Sequence, residues 1–463
     1  MSVLVLLLAL GLLMFVAYRG LSVILLAPAC ALLAVALSLG PADVLPYYSN
    51  VFMARMVDFV KLYFPVFMLG AVFGKFIEIS GAAASISRAI VRAVGAERSI
   101  LAIVLACAFL TYGGVSLFVV AFAVYPLAAA LFRRAEIPKR LVPGTIALGS
   151  FTFTMDSLPG TPQIQNVIPT TFFGTNLYAA PVLGCLGAGF VLVLGLAWLE
   201  RRRALARARG EGYGHGHVGE PDPGAGDQVL PSPAVAVLPL VAVGLVNRWM
   251  TGWIPSFYGK TLDLGLEGFA PVDVSKVQGV WALELALVAG LAASLAIGWR
   301  PISRKLREGV SLAVSGSMLA TLNTASEYGF GAVVASLPGF AAVKGVMAGV
   351  SSHPLVNEAL SVNVLAGITG SASGGMSLAL AALGKQYLEA AQAAGISPEV
   401  LHRVASMASG GMDTLPHNGA VITLLAITGM THRDSYGDIF AITVIKTAAV
   451  FFVIAVHSAT GLV

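Results

Sequence analysis

Met155-Asp156-Ser157-Leu158-Pro159 and Met412-Asp413-Thr414-Leu415-Pro416 are two copies of one motif, each set in an apolar stretch long enough to cross a membrane. An ionised Asp in hydrocarbon costs at least about 2.5 kcal/mol on insertion scales, so two at matched positions imply work. Proline and small polar neighbours beside each Asp predict an interruption of the helix there. Interrupted helices at membrane depth survive only where they face protein or a water-filled cavity, and a matched pair marks a transporter's binding site.

The rest of the chain agrees with a membrane setting. Of 463 residues, 57% are hydrophobic and 11% charged, with a mean hydropathy of +0.86. Soluble domains carry about 25% charged residues, so a soluble globule is excluded. Cys30, Cys107 and Cys185 all lie in apolar stretches without CxxC spacing, which reads as small core residues rather than a disulfide framework or zinc site. The net charge of +5 is modest, and the lipid bilayer, not nucleic acid, is the expected large partner. Residues 2–17 lack a basic start and a small-residue cleavage site, so a span is expected there and not a signal peptide.

A helix crosses about 30 Å of hydrocarbon in roughly 20 residues. Charge and turn punctuation place such spans near 2–18, 20–39, 60–79, 141–173, 177–199, 233–249, 277–298, 309–335, 398–428 and 437–459. Segments 99–132 and 354–388 are too long for one span and too short for two with a loop, and each contains a glycine pair. A re-entrant hairpin with its tip near mid-membrane fits that length. With the Arg-rich run 201–209 inside, this topology puts 18 Lys and Arg residues on the cytoplasmic side and 8, Arg403 among them, on the other. A single crossing at 99–132 would instead split Arg98 from the Arg133–Arg140 cluster.

The halves align. Gly70-Ala71-Val72 and Gly331-Ala332-Val333 lie 261 residues apart, as do Gly113-Gly114-Val115-Ser116-Leu117 and Gly374-Gly375-Met376-Ser377-Leu378, and the two Asp motifs follow at 257. The expected fold is therefore an all-α polytopic membrane protein of two repeats, each with five spans, one re-entrant hairpin and a broken helix. An odd number of crossings inverts the second repeat. Residues 1–200 form the first repeat, 201–232 a cytoplasmic linker, and 233–463 the second. His215 and His217 in the Gly/Pro-rich linker read as solvated chain rather than a metal site. Residues 83–95, with Ile86, Ile90 and Val94 on one face and Arg88 and Arg92 on another, read as an interfacial amphipathic helix.

Four clusters can carry chemistry. At the first break, Pro159 and Pro162 free carbonyls of the preceding turn and Gly160 permits a tight turn. Thr154, Asp156, Ser157, Thr161 and Gln163 supply oxygens and an amide there. The second break offers Asp413, Thr414, His417 and Asn418. The hairpin tips add Gly113, Gly114 and Ser116, and Ser373, Gly374, Gly375 and Ser377. Freed carbonyls and hydroxyls can hold a cation, and helix-start amides a carboxylate. Desolvation opposes an ionised Asp unless a cation lies beside it, and protonation or cation binding both suit coupling. Sodium at Asp156 or Asp413 is one option and a proton the other. Glu327, Glu284 and Lys446 also lie in or near spans, with nothing to place them at the site. With no Arg expected at the site, a small hydroxylated monocarboxylate is the expected cargo, and no cofactor is implied.

These residues resemble the gluconate permease family of proton symporters, within the larger ion transporter superfamily. The resemblance runs across most of the chain and is carried by Phe67-Met68-Leu69-Gly70-Ala71-Val72-Phe73-Gly74-Lys75, by Val124-Tyr125-Pro126-Leu127 before Ile137-Pro138, and by the Pro-rich break after Ser150. It implies uptake of gluconate or a short hydroxy acid such as 3-hydroxybutyrate across a bacterial inner membrane, driven by a cation gradient, in a homodimer whose moving domain works as an elevator against a scaffold. The chain departs from the family at Asp156–Pro162, where gluconate permeases have a His-Pro pair. The oxygen-rich set here equally suits Na+. Two other readings share the residues: a cation/proton antiporter, and an intramembrane aspartyl protease whose two carboxylates would stand roughly 3 Å apart.

Overall fold

The computed structural model describes residues 2–18, 22–217, 220, 230–267, 269–340, 351, 353–416 and 418–463. His417 therefore lies outside the described residues. The fold is an all-α polytopic membrane protein. Two-residue strands, Thr261–Leu262 and Val272–Asp273, pair antiparallel in one small hairpin.

In chain order the helices are α1 (Ser2–Tyr18), α2 (Val23–Ser38), α3 (Ala54–Ile79), α4 (Ala82–Val94), α5 (Ser99–Tyr112), α6 (Leu117–Arg134), α7 (Val142–Ser150), α8 (Phe153–Asp156), α9 (Ile164–Phe173) and α10 (Pro181–Ala208). After the linker come α11 (Pro233–Tyr258), α12 (Val274–Ser336), α13 (Pro354–Thr369), α14 (Ala372–Ala393), α15 (Pro398–Gly411), α16 (Gly419–Thr428) and α17 (His432–Thr460). Among the described residues, five helical stretches are long and apolar enough to cross a membrane: Pro41–Ile79, α10, α11, α12 and α17. The expected spans 277–298 and 309–335 are one 63-residue helix, α12, bent at Gly298 (φ −110°, ψ 27°). The bend brings Gly298 against Ser80, and Pro301 begins the second arm, where its missing N–H costs little.

Both hairpins form, and their packing is reciprocal. The first arm of each lies on the first half of its own broken helix: α5 on α7, and α13 on α15. The second arm of each lies on the second half of the other's: α6 on α16, and α14 on α9. Tyr125 of α6 fixes one of these contacts by donating to the Thr428 carbonyl at 3.2 Å. Outside this group, α3, α11 and α12 pack together, joined by α2.

Two expectations need correction. In the second hairpin, Gly374 and Gly375 are not the tip. Gly370 (φ +66°) ends α13 in the left-handed region that glycine favours, and the Ser371 side chain caps α14 by accepting from Gly374 N–H. The glycine pair falls in the first turn of α14, where it allows close approach of Ala366 and Glu327. Cys30 and Cys107 are core residues as expected, but Cys185 points outward from α10.

The linker is also less solvated than its composition suggests. Tyr213 is buried, Glu220 pairs with Lys139 at 2.9 Å and with Arg133, and Arg140 bonds Glu211 through Nε at 2.6 Å and Nη2 at 2.9 Å. The described residues hold no cluster of three metal-ligating side chains, in the linker or elsewhere. The Arg140 guanidinium holds the Glu211 carboxyl below the ordinary carboxylate range. A carboxyl depressed in the folded state contributes stability above its unfolded value and loses it as pH falls through the folded one. Docking of 210–217 should thus be constant from pH 8 to about 5 and weaken on further acidification. Hydrogen exchange of these amides against pH reads this directly, and protection unchanged at pH 3 would contradict it.

Candidate functional site

The first break begins where α7 ends at Ser150. Thr152 (φ −135°, ψ −128°) leaves helical geometry, α8 is a single turn, and Ser157–Gln163 run irregularly to α9. Interruption exposes carbonyls, and nearby side chains take them up. Thr152 donates to Leu148 O at 2.7 Å, Thr154 to Gly149 O at 2.8 Å, Thr161 to Thr154 O at 2.7 Å and Tyr112 to Pro159 O at 2.9 Å. The hydroxyl hydrogens of Thr154 and Thr161 are thus committed to repairing backbone. Gly160 (φ +81°) turns beneath Tyr178, where a Cβ would collide.

Each hairpin tip is tied to its own break. Gln163 donates through Nε2 to Thr111 O at 2.7 Å and Val115 O at 3.3 Å, while Gly114 fits against Pro162 and Gly113 against Leu240. Ser116 begins α6 without a side-chain cap. In the second half Asn418 donates to Gly370 O at 2.6 Å and caps α16 by accepting from Ala420 N–H and Val421 N–H. Each tip is thus held against the break of its own half by an amide side chain.

The two breaks also meet. Asp156 is 3% exposed, and its Oδ1 accepts from Ser157 Oγ at 2.6 Å. Its Oδ2 has no partner among the described residues and lies against Gly410, where any Cβ would overlap it. Next along α15, Gly411 is equally close to Asn363 Oδ1, another buried oxygen without a partner. Asp413, just beyond, is paired to Lys446 of α17. Lys446 Nζ also donates to Phe151 O at 3.3 Å, so one ammonium joins the second acidic segment to the end of α7 in the first half. Thr414 shares a 2.6 Å hydrogen bond with Thr443, and its carbonyl accepts from Tyr436 at 3.2 Å.

Contrary to expectation, an Arg stands at this junction. Arg403, counted on the exterior side near the start of the expected span 398–428, is fully buried in α15. Its Nη1 donates to Asp156 O at 3.2 Å and Asn166 Oδ1 at 3.1 Å, and its Nε and Nη2 donate to Ala179 O at 3.2 and 2.7 Å. Ser406 adds a 2.7 Å bond to Asp156 O. These contacts hold backbone in place, so the guanidinium is a clamp between α15 and the first break. His402 lies beside it, bonded to Thr175 at 2.6 Å and Asn166 at 3.0 Å.

Lys446 is the residue that sequence reasoning underrated. A lone Lys in the apolar run Ala441-Ile442-Thr443-Val444-Ile445-Lys446 warrants the same functional default as an intramembrane Asp. Arg403 had no such signal, because five residues after Pro398 it reads as a helix-end charge. Glu327 is also buried, at 3% exposed, and abuts Gly374 of the second hairpin. Ser373 meets Thr324 at 3.3 Å, and Ser377 is fully buried.

No family model matches the chain. A Bacillus subtilis (strain 168) protein, described as the uncharacterized transporter YxjC, is 57% identical over 482 residues, covering 100% of both chains. The fold is similar to that of the Alcanivorax borkumensis YdaH transporter, with a TM-score of 0.53 at 14% identity over 91% of this chain and 90% of that one. It is also similar to Neisseria gonorrhoeae MtrF, with a TM-score of 0.55 at 12% identity over 89% and 84%. MtrF is described as illuminating a class of antimetabolite efflux pumps. At such identities the likeness to solved structures speaks for fold alone.

Proposed function

This chain belongs to the same family as the Bacillus subtilis transporter YxjC; from that premise we propose that it is a cation-coupled symporter for a small organic acid anion in the bacterial inner membrane. The observation that carries this reading is Lys446, a buried ammonium held by Asp413 and by a carbonyl of the opposite half. Neutralising Asp413 with H+ or Na+ releases Lys446 to take a substrate carboxylate instead. Loading of anion and cation then become one event, since either alone leaves a buried charge unpaired at a cost of several kcal/mol. Arg403 is occupied by the Asp156 and Ala179 carbonyls and the Asn166 amide oxygen, so among the described residues at the junction Lys446 is the cation that this exchange releases, and it serves one carboxylate. That favours monocarboxylates of the gluconate or hydroxybutyrate type over dicarboxylates.

A cleft of about 750 Å³ is lined by three cations, each in an exposed ion pair with a nearby carboxylate, weak pairs with which an incoming anion can compete. It opens between α9, α12 and α14, and Arg55, Lys276 and Lys385 line it on the side that charge counting assigns to the exterior. The reciprocal hairpin packing supports two inverted repeats. The packing of α2, α3 and α11 along the long helix α12, whose far arm meets the second hairpin, supports a scaffold against which an elevator moves. The test is flux in proteoliposomes under an imposed Na+ or pH gradient, with labelled gluconate and 3-hydroxybutyrate. Concentrative uptake of one of them is expected. Sodium–proton exchange with no organic substrate would overturn the reading in favour of an antiporter.

A further inference from the structure

We propose that Glu327 of α12 and the start of α14 form a Na+ site separate from the Asp156–Asp413 junction. Glu327 Oε2 is buried without a hydrogen-bond partner among the described residues, and the carboxylate lies directly over Gly374, where a Cβ would overlap it. Ser377, one turn further along α14 and so on the same face as Gly374, is fully buried, and its Oγ likewise has no partner. Thr111, Ser326 and Ser435 share this state among the described residues, whereas the neighbouring Thr321 and Thr324 return to carbonyls one turn back, Ser317 O at 2.7 Å and Ala320 O at 3.1 Å.

Thr324, one turn before Glu327, faces Ser373 at 3.3 Å and completes the group. One carboxylate and three hydroxyls, with no nitrogen ligand, suit a hard cation. A single carboxylate matches a single positive charge. A proton on Glu327 could satisfy one oxygen only, whereas a cation between α12 and α14 serves the carboxylate and Ser377 together. The cleft described above comes near the site without being lined by it: Leu380 and Ala381, one turn beyond Ser377, line the cleft. Such an ion would bond the long helix α12 to the second hairpin, so its arrival would set the position of the hairpin.

The role of the ion rests on the symporter reading, but its binding does not. Thermal unfolding of the purified protein is to be titrated with NaCl against choline chloride at constant ionic strength, alongside 22Na+ binding. A saturable, Na+-specific rise in Tm is expected. Glu327→Gln should abolish it, and Ser377→Ala should raise the half-saturating Na+ concentration about tenfold or more, a change of roughly 1.4 kcal/mol. Glu389→Gln, an exposed change on the same helix, should leave it intact. Equal stabilisation by choline, a response to pH alone, or an unchanged Na+ response in both site variants would overturn the site. Na+ binding that persists without any organic anion uptake would instead sink the symporter reading and leave the site standing.

Discussion

Asp413→Asn is expected to abolish gradient-driven uptake and to lower stability by about 3–5 kcal/mol, because it leaves Lys446 charged, buried and unpaired. Lys446 is 3% exposed and its remaining partner is the Phe151 carbonyl, which cannot neutralise it. The double variant Asp413→Asn/Lys446→Met should regain most of the lost stability, since Met, of similar volume to Lys, removes the stranded charge and leaves a neutral pair. It should not regain uptake. Asp156→Asn should also stop uptake at a smaller cost in stability, because Oδ2 already lacks a partner and Ser157 can still donate to the retained oxygen. Denaturation midpoints in detergent and concentrative uptake in proteoliposomes separate the two effects. Full accumulation by either single variant would remove that Asp from the mechanism.

Arg403→Ala is expected to be the most destabilising single change, at about 3–5 kcal/mol. It strands the Ala179 carbonyl, takes one of two side-chain partners from the Asp156 carbonyl and from the Asn166 amide oxygen, and leaves a guanidinium-sized void in a fully buried setting. Arg403→Lys should recover little, because an ammonium cannot present the planar fork that reaches Ala179 on one side and Asp156 and Asn166 on the other. The measure is the fraction of monodisperse protein after extraction together with its Tm. Near-native stability of the Lys variant would show that charge alone, and not the fork, holds the junction.

Much of the architecture could be read from local pattern. Hydropathy and charge placed the broken helices, the hairpins and α4 close to their observed bounds, since a span depends on about 20 consecutive residues and little else. The breaks at Asp156 and Asp413 were legible because Pro159, Pro162 and Pro416 lack the donor that a continuous helix needs. Long-range relations were not. The bend of α12 at Gly298 sets that glycine, which has no Cβ to obstruct it, against the distant Ser80, and Gly374 falls in a first turn because Gly370 ends α13 and Ser371 caps α14 before it.

Composition determined that this protein spans a membrane, and repetition within the chain raised the expectation of two related halves, each with an acidic, proline-marked break. Tertiary structure alone decided which charges meet. Lys446 stands 33 residues after Asp413 and 295 after Phe151, and Arg403 stands 247 after Asp156. Nothing in the neighbourhood of either base distinguishes a clamp or a counter-ion from a helix-end charge. Burial in a dry interior makes the distinction, by forcing each cation to find the one carboxylate or set of carbonyls that the folded backbone brings within reach.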